Sequence, residues 1–117
     1  MIEKKPKIVC LCGSTKFYED FMKANYEETM LGNIVLSVGF FMHSSEKTHG
    51  QHVGCSDEQK EMLDKLHLQK IDLAGEILVI NKDGYIGEST RREIKHAVRT
   101  GKPVRWYFPE KIPEDWI

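Results

Sequence analysis

The residues with the clearest chemical potential lie in Gly84 to Ala97, Gly-Tyr-Ile-Gly-Glu-Ser-Thr-Arg-Arg-Glu-Ile-Lys-His-Ala, where a glycine-spaced loop turns into a helical pattern after the apolar run Ile77-Leu78-Val79-Ile80. In an open α/β sheet, ligands bind beyond the carboxyl ends of the strands, where the next helix offers unpaired backbone N–H groups. Glu93 falls beside such a crevice. As the last residue of Thr90-Arg91-Arg92-Glu93 it fits a capping box and closes the first turn of a helix. Alternatively, a carboxylate kept ionised by the N–H dipoles of that first turn is a nucleophile for an electrophilic carbon. Glycosyl transfer uses a carboxylate this way, because an oxocarbenium-like transition state is stabilised by negative charge opposite the leaving group. Asp83, directly after the apolar run, would be a second carboxyl group able to protonate a departing base.

A second loop, Gly13-Ser14-Thr15, combines backbone N–H groups, two hydroxyls and the positive end of a following helix, which suits an anion; capping alone explains the two hydroxyls equally well. Lys16 would add a charge. Neither a P-loop nor a dinucleotide fingerprint is present. His43, directly after an apolar run, is placed to contact a substrate. His43, His49, His52 and Cys55 match no usual ligand spacing, so no metal and no cofactor is expected. Arg91, Arg92, Lys95, Arg99 and Lys102 make the helix after Ser89 basic, a solvated face from which Arg91 or Arg92 could reach a phosphate. Asp64, His67 and Asp72 read as surface residues of an earlier helix.

The elements that must position these groups alternate. Residues 7–12 are a short apolar run between Pro6 and Gly13, the pattern of a strand buried on both faces. Phe17, Phe21, Ala24 and Leu31 return to one helical face until Gly32, with Ser14 or Thr15 as cap. Residues 34–38 form a second strand. Residues 39–55 lack a pattern and are long enough for a binding loop. Ser56-Asp57-Glu58-Gln59 is a capping box that opens a helix through Met62, Leu63 and Leu66 to about Leu73. Residues 76–81, 90–100 and 103–108 read as strand, helix and strand, and the tail from Pro109 carries an apolar end, Trp116-Ile117. Four strands alternating with three helices predict an α/β fold with a parallel sheet in the order 2-1-3-4. The chain then reverses between strands one and three, so the Gly13 and Gly87 loops flank one crevice.

At 117 residues the chain predicts one domain spanning 1–117. A formal charge of -1 and a pI near 6.5 give no reason to expect a nucleic-acid polymer or a membrane as partner, and the ligand should be small. No apolar signal core or membrane span is evident, so a cytoplasmic location is expected. Three cysteines do not make a disulfide framework. Cys10 and Cys12 share one strand face and read as reduced packing residues.

Two motifs resemble the nucleoside 2-deoxyribosyltransferase family, including its relatives that hydrolyse the N-glycosidic bond of nucleoside 5′-monophosphates. Cys12-Gly13-Ser14-Thr15 is similar to the Cys-Gly-Ser-Ile loop of the monophosphate glycosidases, and Thr90 to Ala97 is similar to Gly-Thr-x-x-Glu-x-Gly-x-Ala. The resemblance implies a small Rossmann-like or flavodoxin-like three-layer sandwich and cleavage or transfer at an N-glycosidic bond, with Glu93 attacking C1′ of the sugar. Ser14 and Ser89 would meet phosphate or sugar, and Gly87 and Thr90 complete the expected substrate contacts. Lys95 replaces the family glycine, and Arg91 and Arg92 stand where relatives often carry glycine or an aromatic residue, which would either crowd the pocket or recruit a more anionic ligand. Relatives complete their sites across subunit contacts, which implies a homodimer or higher homo-oligomer. A catalytically inactive nucleotide-binding or sensing module on the same scaffold is the alternative.

Overall fold

The structure is a computed structural model that describes residues 5–38 and 56–116. β1 (Ile8–Gly13) and β3 (Glu76–Ile80) are the two central strands, buried along nearly their whole length. Their unbroken apolar runs reflect cover on both faces. β2 (Ile34–Leu36) and β4 (Val104–Trp106) are the edges, and all neighbours are parallel in the order β2-β1-β3-β4, as expected. The register sets Val9 beside Val35 and Glu76, Leu11 beside Leu78, and Val79 beside Trp106.

Alternation along the strands divides the core into two halves. Val9, Leu11, Leu78 and Ile80 face α1 (Tyr18–Met30) through Phe21 and Ala24. Cys10, Cys12, Ile77 and Val79 face α2 (Asp57–Leu73) and α3 (Glu88–Arg99) through Ile71, Ile94 and Ala97. The α1 face differs from the expected one in a physical way: Leu31 is 73% exposed, whereas Glu28 is buried, neutralised by the Arg105 guanidinium at 2.7 Å.

Helix starts follow local capping chemistry. The Ser56 hydroxyl accepts from Gln59 N at 3.1 Å while Gln59 Oε1 accepts from Ser56 N at 2.8 Å, the reciprocal capping box expected there. Ser14 caps a short 3₁₀ turn, Thr15–Phe17, through Lys16 N, and α1 begins only after it. α3 begins two residues earlier than the sequence pattern suggests. Gly87 is its N-cap residue, so Thr90 already lies inside the helix and Glu93 in the second turn. The capping-box reading of Thr90 and Glu93 is therefore corrected: the first turn is closed without either side chain.

The end of the chain is fastened from within. Fully buried Asn81 donates to the carbonyls of Phe108 and Lys111 at 2.9 and 3.2 Å and accepts from Phe108 N at 2.9 Å. Trp116 then packs on the α2–α3 half of the core. Among the described residues, no helix is long and apolar enough to cross a membrane.

Candidate functional site

The two central strands end at a cleft of about 250 Å³. β1 enters it at Gly13, whose φ of +150° and close approach to β3 require glycine: an added Cβ would lie 3.0 Å from the Ile80 carbonyl oxygen. The chain turns there into Ser14 and Thr15, while the loop after β3 turns at Gly87 into α3. The structure thus brings Gly13, Ser14, Thr15, Gly87, Ser89, Thr90 and Glu93 to one cleft, joined by Val38, Asp64, Tyr85 and Glu88. Tyr85 links the two loops. Its ring takes an edge contact from Phe17 at 5.8 Å and holds the Lys16 ammonium 3.6 Å from its centroid, so Lys16 is spent on a cation–π contact.

Asp83 lies outside the cleft, exposed in the 3₁₀ turn Lys82–Gly84 with a φ of +55°. That turn carries it away because β3 ends at Ile80, three residues earlier. Arg91 binds Asp115 at 2.6 Å, and Arg92 reaches Ser89 Oγ at 3.3 Å and Asp64 at 3.8 Å, so both are engaged at the margin. His43 and the other histidines of residues 39–55, with Cys55, lie outside the described residues.

Glu93 forms the inner wall, its side chain 12% exposed. Its environment differs from the one expected of a first-turn carboxylate. Burial pushes its pKa up to about 7, and the imidazole of His67 pulls the other way without prevailing. Oε1 is buried without a hydrogen-bond partner and sits 3.8 Å from His67 Nε2.

Behind Glu93, away from the cleft, a polar knot sits in the core. Cys10 Sγ and Cys12 Sγ approach the same His67 Nε2 at 3.7 and 3.6 Å. The Cys12 thiol and His67 hold the Cys10 pKa below its ordinary value against the effect of burial, while burial pushes Cys12 up. For His67 burial disfavours the charged form, but Cys10 and Glu93 outweigh it and raise the pKa. Sequence reasoning missed His67 by placing it on the α2 surface. The available signal was its spacing, four residues after Leu63 and four before Ile71, the row that α2 turns inward, while Met62 and Leu66 are 48% and 43% exposed.

The arrangement offers a buried carboxylate of raised basicity, two hydroxyls (Ser14 and Ser89) and the N-terminal amides of α3 around one small space. No protein-family model matches the chain, and neither a curated protein nor a solved structure shows significant similarity to it.

Proposed function

We propose that the protein cleaves or exchanges the N-glycosidic bond of a nucleoside or nucleoside 5′-monophosphate with Glu93 as nucleophile. The observation that carries this reading is the Glu93 carboxylate in the wall of a cleft at the ends of β1 and β3, among Gly13, Ser14, Ser89 and Thr90. The resemblance of those two segments to the nucleoside 2-deoxyribosyltransferase family supports the same reading. A Glu93 oxygen bonds to C1′ as the C1′–N bond breaks; the electron pair leaves with the base, which takes a proton. Asp64, the carboxyl group of α2 in the cleft wall, takes the donor role that the sequence assigned to Asp83. Water then opens the glycosyl ester, or a second base does so in a transfer. Among the described residues the cleft carries Asp64, Glu88 and Glu93 and no lysine or arginine, which favours an uncharged nucleoside over its monophosphate.

The test is base release from a panel of nucleosides and 5′-monophosphates, followed by chromatography. Glu93→Gln should abolish release and leave nucleoside binding within a few-fold. Asp64→Asn should lower kcat about 100-fold, whereas Asp83→Asn leaves it unchanged. Binding without release from any substrate would replace the enzyme reading by the nucleotide-binding or sensing module. Cytoplasmic location and assembly into a homodimer or higher homo-oligomer belong to the same proposal. Met22, Tyr26 and Met30, exposed in one row along α1, are the surface for that contact, and light scattering of a Tyr26→Glu variant reads it.

A further inference from the structure

We propose that Cys10, Cys12, His67 and Glu93 form a buried tetrahedral site for a thiophilic divalent cation, zinc being the fitting ion. The inference does not depend on the glycosidase reading, but it shares Glu93 with it, so the metal-loaded and the catalytic forms exclude each other.

Geometry carries it. Cys-x-Cys on a strand places both sulfurs on one face, and that face is covered by α2 and α3, which deliver His67 and Glu93. The ligand atoms of Cys10, Cys12 and His67 all lie within 4.8 Å of one another. Zinc–sulfur and zinc–nitrogen bonds of about 2.3 and 2.05 Å at a tetrahedral angle put sulfur and nitrogen ~3.6 Å apart. The observed separations are 3.7 and 3.6 Å. The fourth position falls to Glu93, whose Oε1 is 3.8 Å from the same nitrogen but lies outside the 4.8 Å cluster of the other three, so its carboxylate must swing toward the sulfurs to close the tetrahedron.

Plain core packing offers the two thiols only long contacts to backbone carbonyls, from Cys10 to Leu11 at 3.8 Å and from Cys12 to Cys10 at 4.0 Å. One imidazole nitrogen makes a single hydrogen bond, either as donor or as acceptor, yet two sulfurs and one oxygen converge on Nε2. Glu93 Oε1 is left with no partner while buried, an arrangement costly in a protein interior. A cation at the centre satisfies all four at once. The two-sulfur, one-nitrogen, one-oxygen donor set suits zinc rather than magnesium or calcium, which take oxygen ligands. Cys10 and Cys12 are fully buried, and Glu93 borders the cleft, so an ion enters past Glu93.

The experiment titrates zinc(II) into the reduced, metal-stripped full-length chain against a chromophoric chelator, with cobalt(II) as a spectroscopic substitute. One zinc per chain with a Kd below about 100 nM is expected. Cys12→Ser and His67→Gln should each weaken binding by more than about 100-fold, while Cys55→Ser leaves it unchanged. Absence of stoichiometric binding, or binding that survives Cys12→Ser and is lost in Cys55→Ser, overturns the site. Should the core variants fail to fold, the unmutated protein with cobalt decides. A thiolate-to-cobalt charge-transfer band with intense tetrahedral d–d absorption supports the site, and a weak octahedral spectrum without the sulfur band overturns it. A carboxylate bound to zinc cannot attack carbon, so loading would also silence base release. That inhibition reads the two proposals together, and metal binding reads this one alone.

Discussion

Glu93 and Gly13 illustrate two ways in which one residue sets a site. Glu93 contributes a charge whose reactivity comes from burial, and that burial depends on its position in the second turn of α3 rather than the first. Gly13 contributes no side chain, and its value is the absence of one. With an alanine there, the new Cβ would stand 3.0 Å from the Ile80 carbonyl oxygen and 3.1 Å from the Ile80 Cβ, at a φ of +150° that side-chain-bearing residues avoid. Gly13→Ala should destabilise the fold by about 3 kcal/mol, from overpacking and backbone strain together, a fall in Tm of roughly 10 °C by calorimetry. A melting temperature within a degree or two of the parent would show that the strands separate easily there. Both residues were legible in the sequence, one as a carboxylate after a strand and loop, the other as the glycine closing an apolar run. His67 was not read, because its inward row is marked only by Leu63 and Ile71 one turn to either side, while the equally apolar Met62 and Leu66 point outward.

At the scale of elements, legibility follows how local the cause is. The Ser56-x-x-Gln59 box is made by four consecutive residues, and the structure contains both of its hydrogen bonds. Ser56→Ala should therefore cost about 1 kcal/mol, seen as a lower urea midpoint with an unchanged slope; no shift would mean that α2 is held by packing alone. The four strands and their order were equally readable, since apolar runs of this length alternating with helices leave few parallel arrangements. The start of α3 was misread because Thr90-x-x-Glu93 also satisfies a capping pattern, and only the chain's entry from β3 selects Gly87 instead. Edge strands came out shorter than their apolar runs for a related reason: β2 pairs with β1 over Ile34 to Leu36, and Ser37 instead lends its carbonyl to Lys70 at 2.6 Å. Where a strand stops is decided by its neighbour, which a single run of residues does not reveal.

Across the whole molecule, the sheet separates a half-core that is almost wholly apolar, under α1, from one that holds the polar knot under α2 and α3. The α1 side is locked at its rim by charge. Arg105 of β4 forks to Glu28 of α1, at 2.7 and 3.2 Å, and pairs with Glu76 of β3, which also receives Lys7 at 3.3 Å. Two carboxylates only 6% and 8% exposed thus share one guanidinium that ties helix and sheet together. The hydrogen bond from Arg105 holds the Glu28 pKa below its ordinary 4.5. A carboxylate whose pKa is lower in the folded than in the unfolded chain binds fewer protons when folded. Its stabilisation is complete above about pH 4.5 and is lost as the pH falls through the folded value. Arg105→Ala should cost about 2 kcal/mol at neutral pH, between the cost of breaking an exposed and a fully buried pair. It should also flatten the loss of stability below about pH 4.5, because Glu28 then has little left to lose. Arg105→Lys should recover only part, since an ammonium cannot match the fork to two carboxylates. Urea denaturation at neutral pH and at about pH 3.5 decides the matter. An Arg105→Ala protein that falls as steeply in acid as its parent would move the acid sensitivity to other carboxylates and leave the rim pair a passive contact.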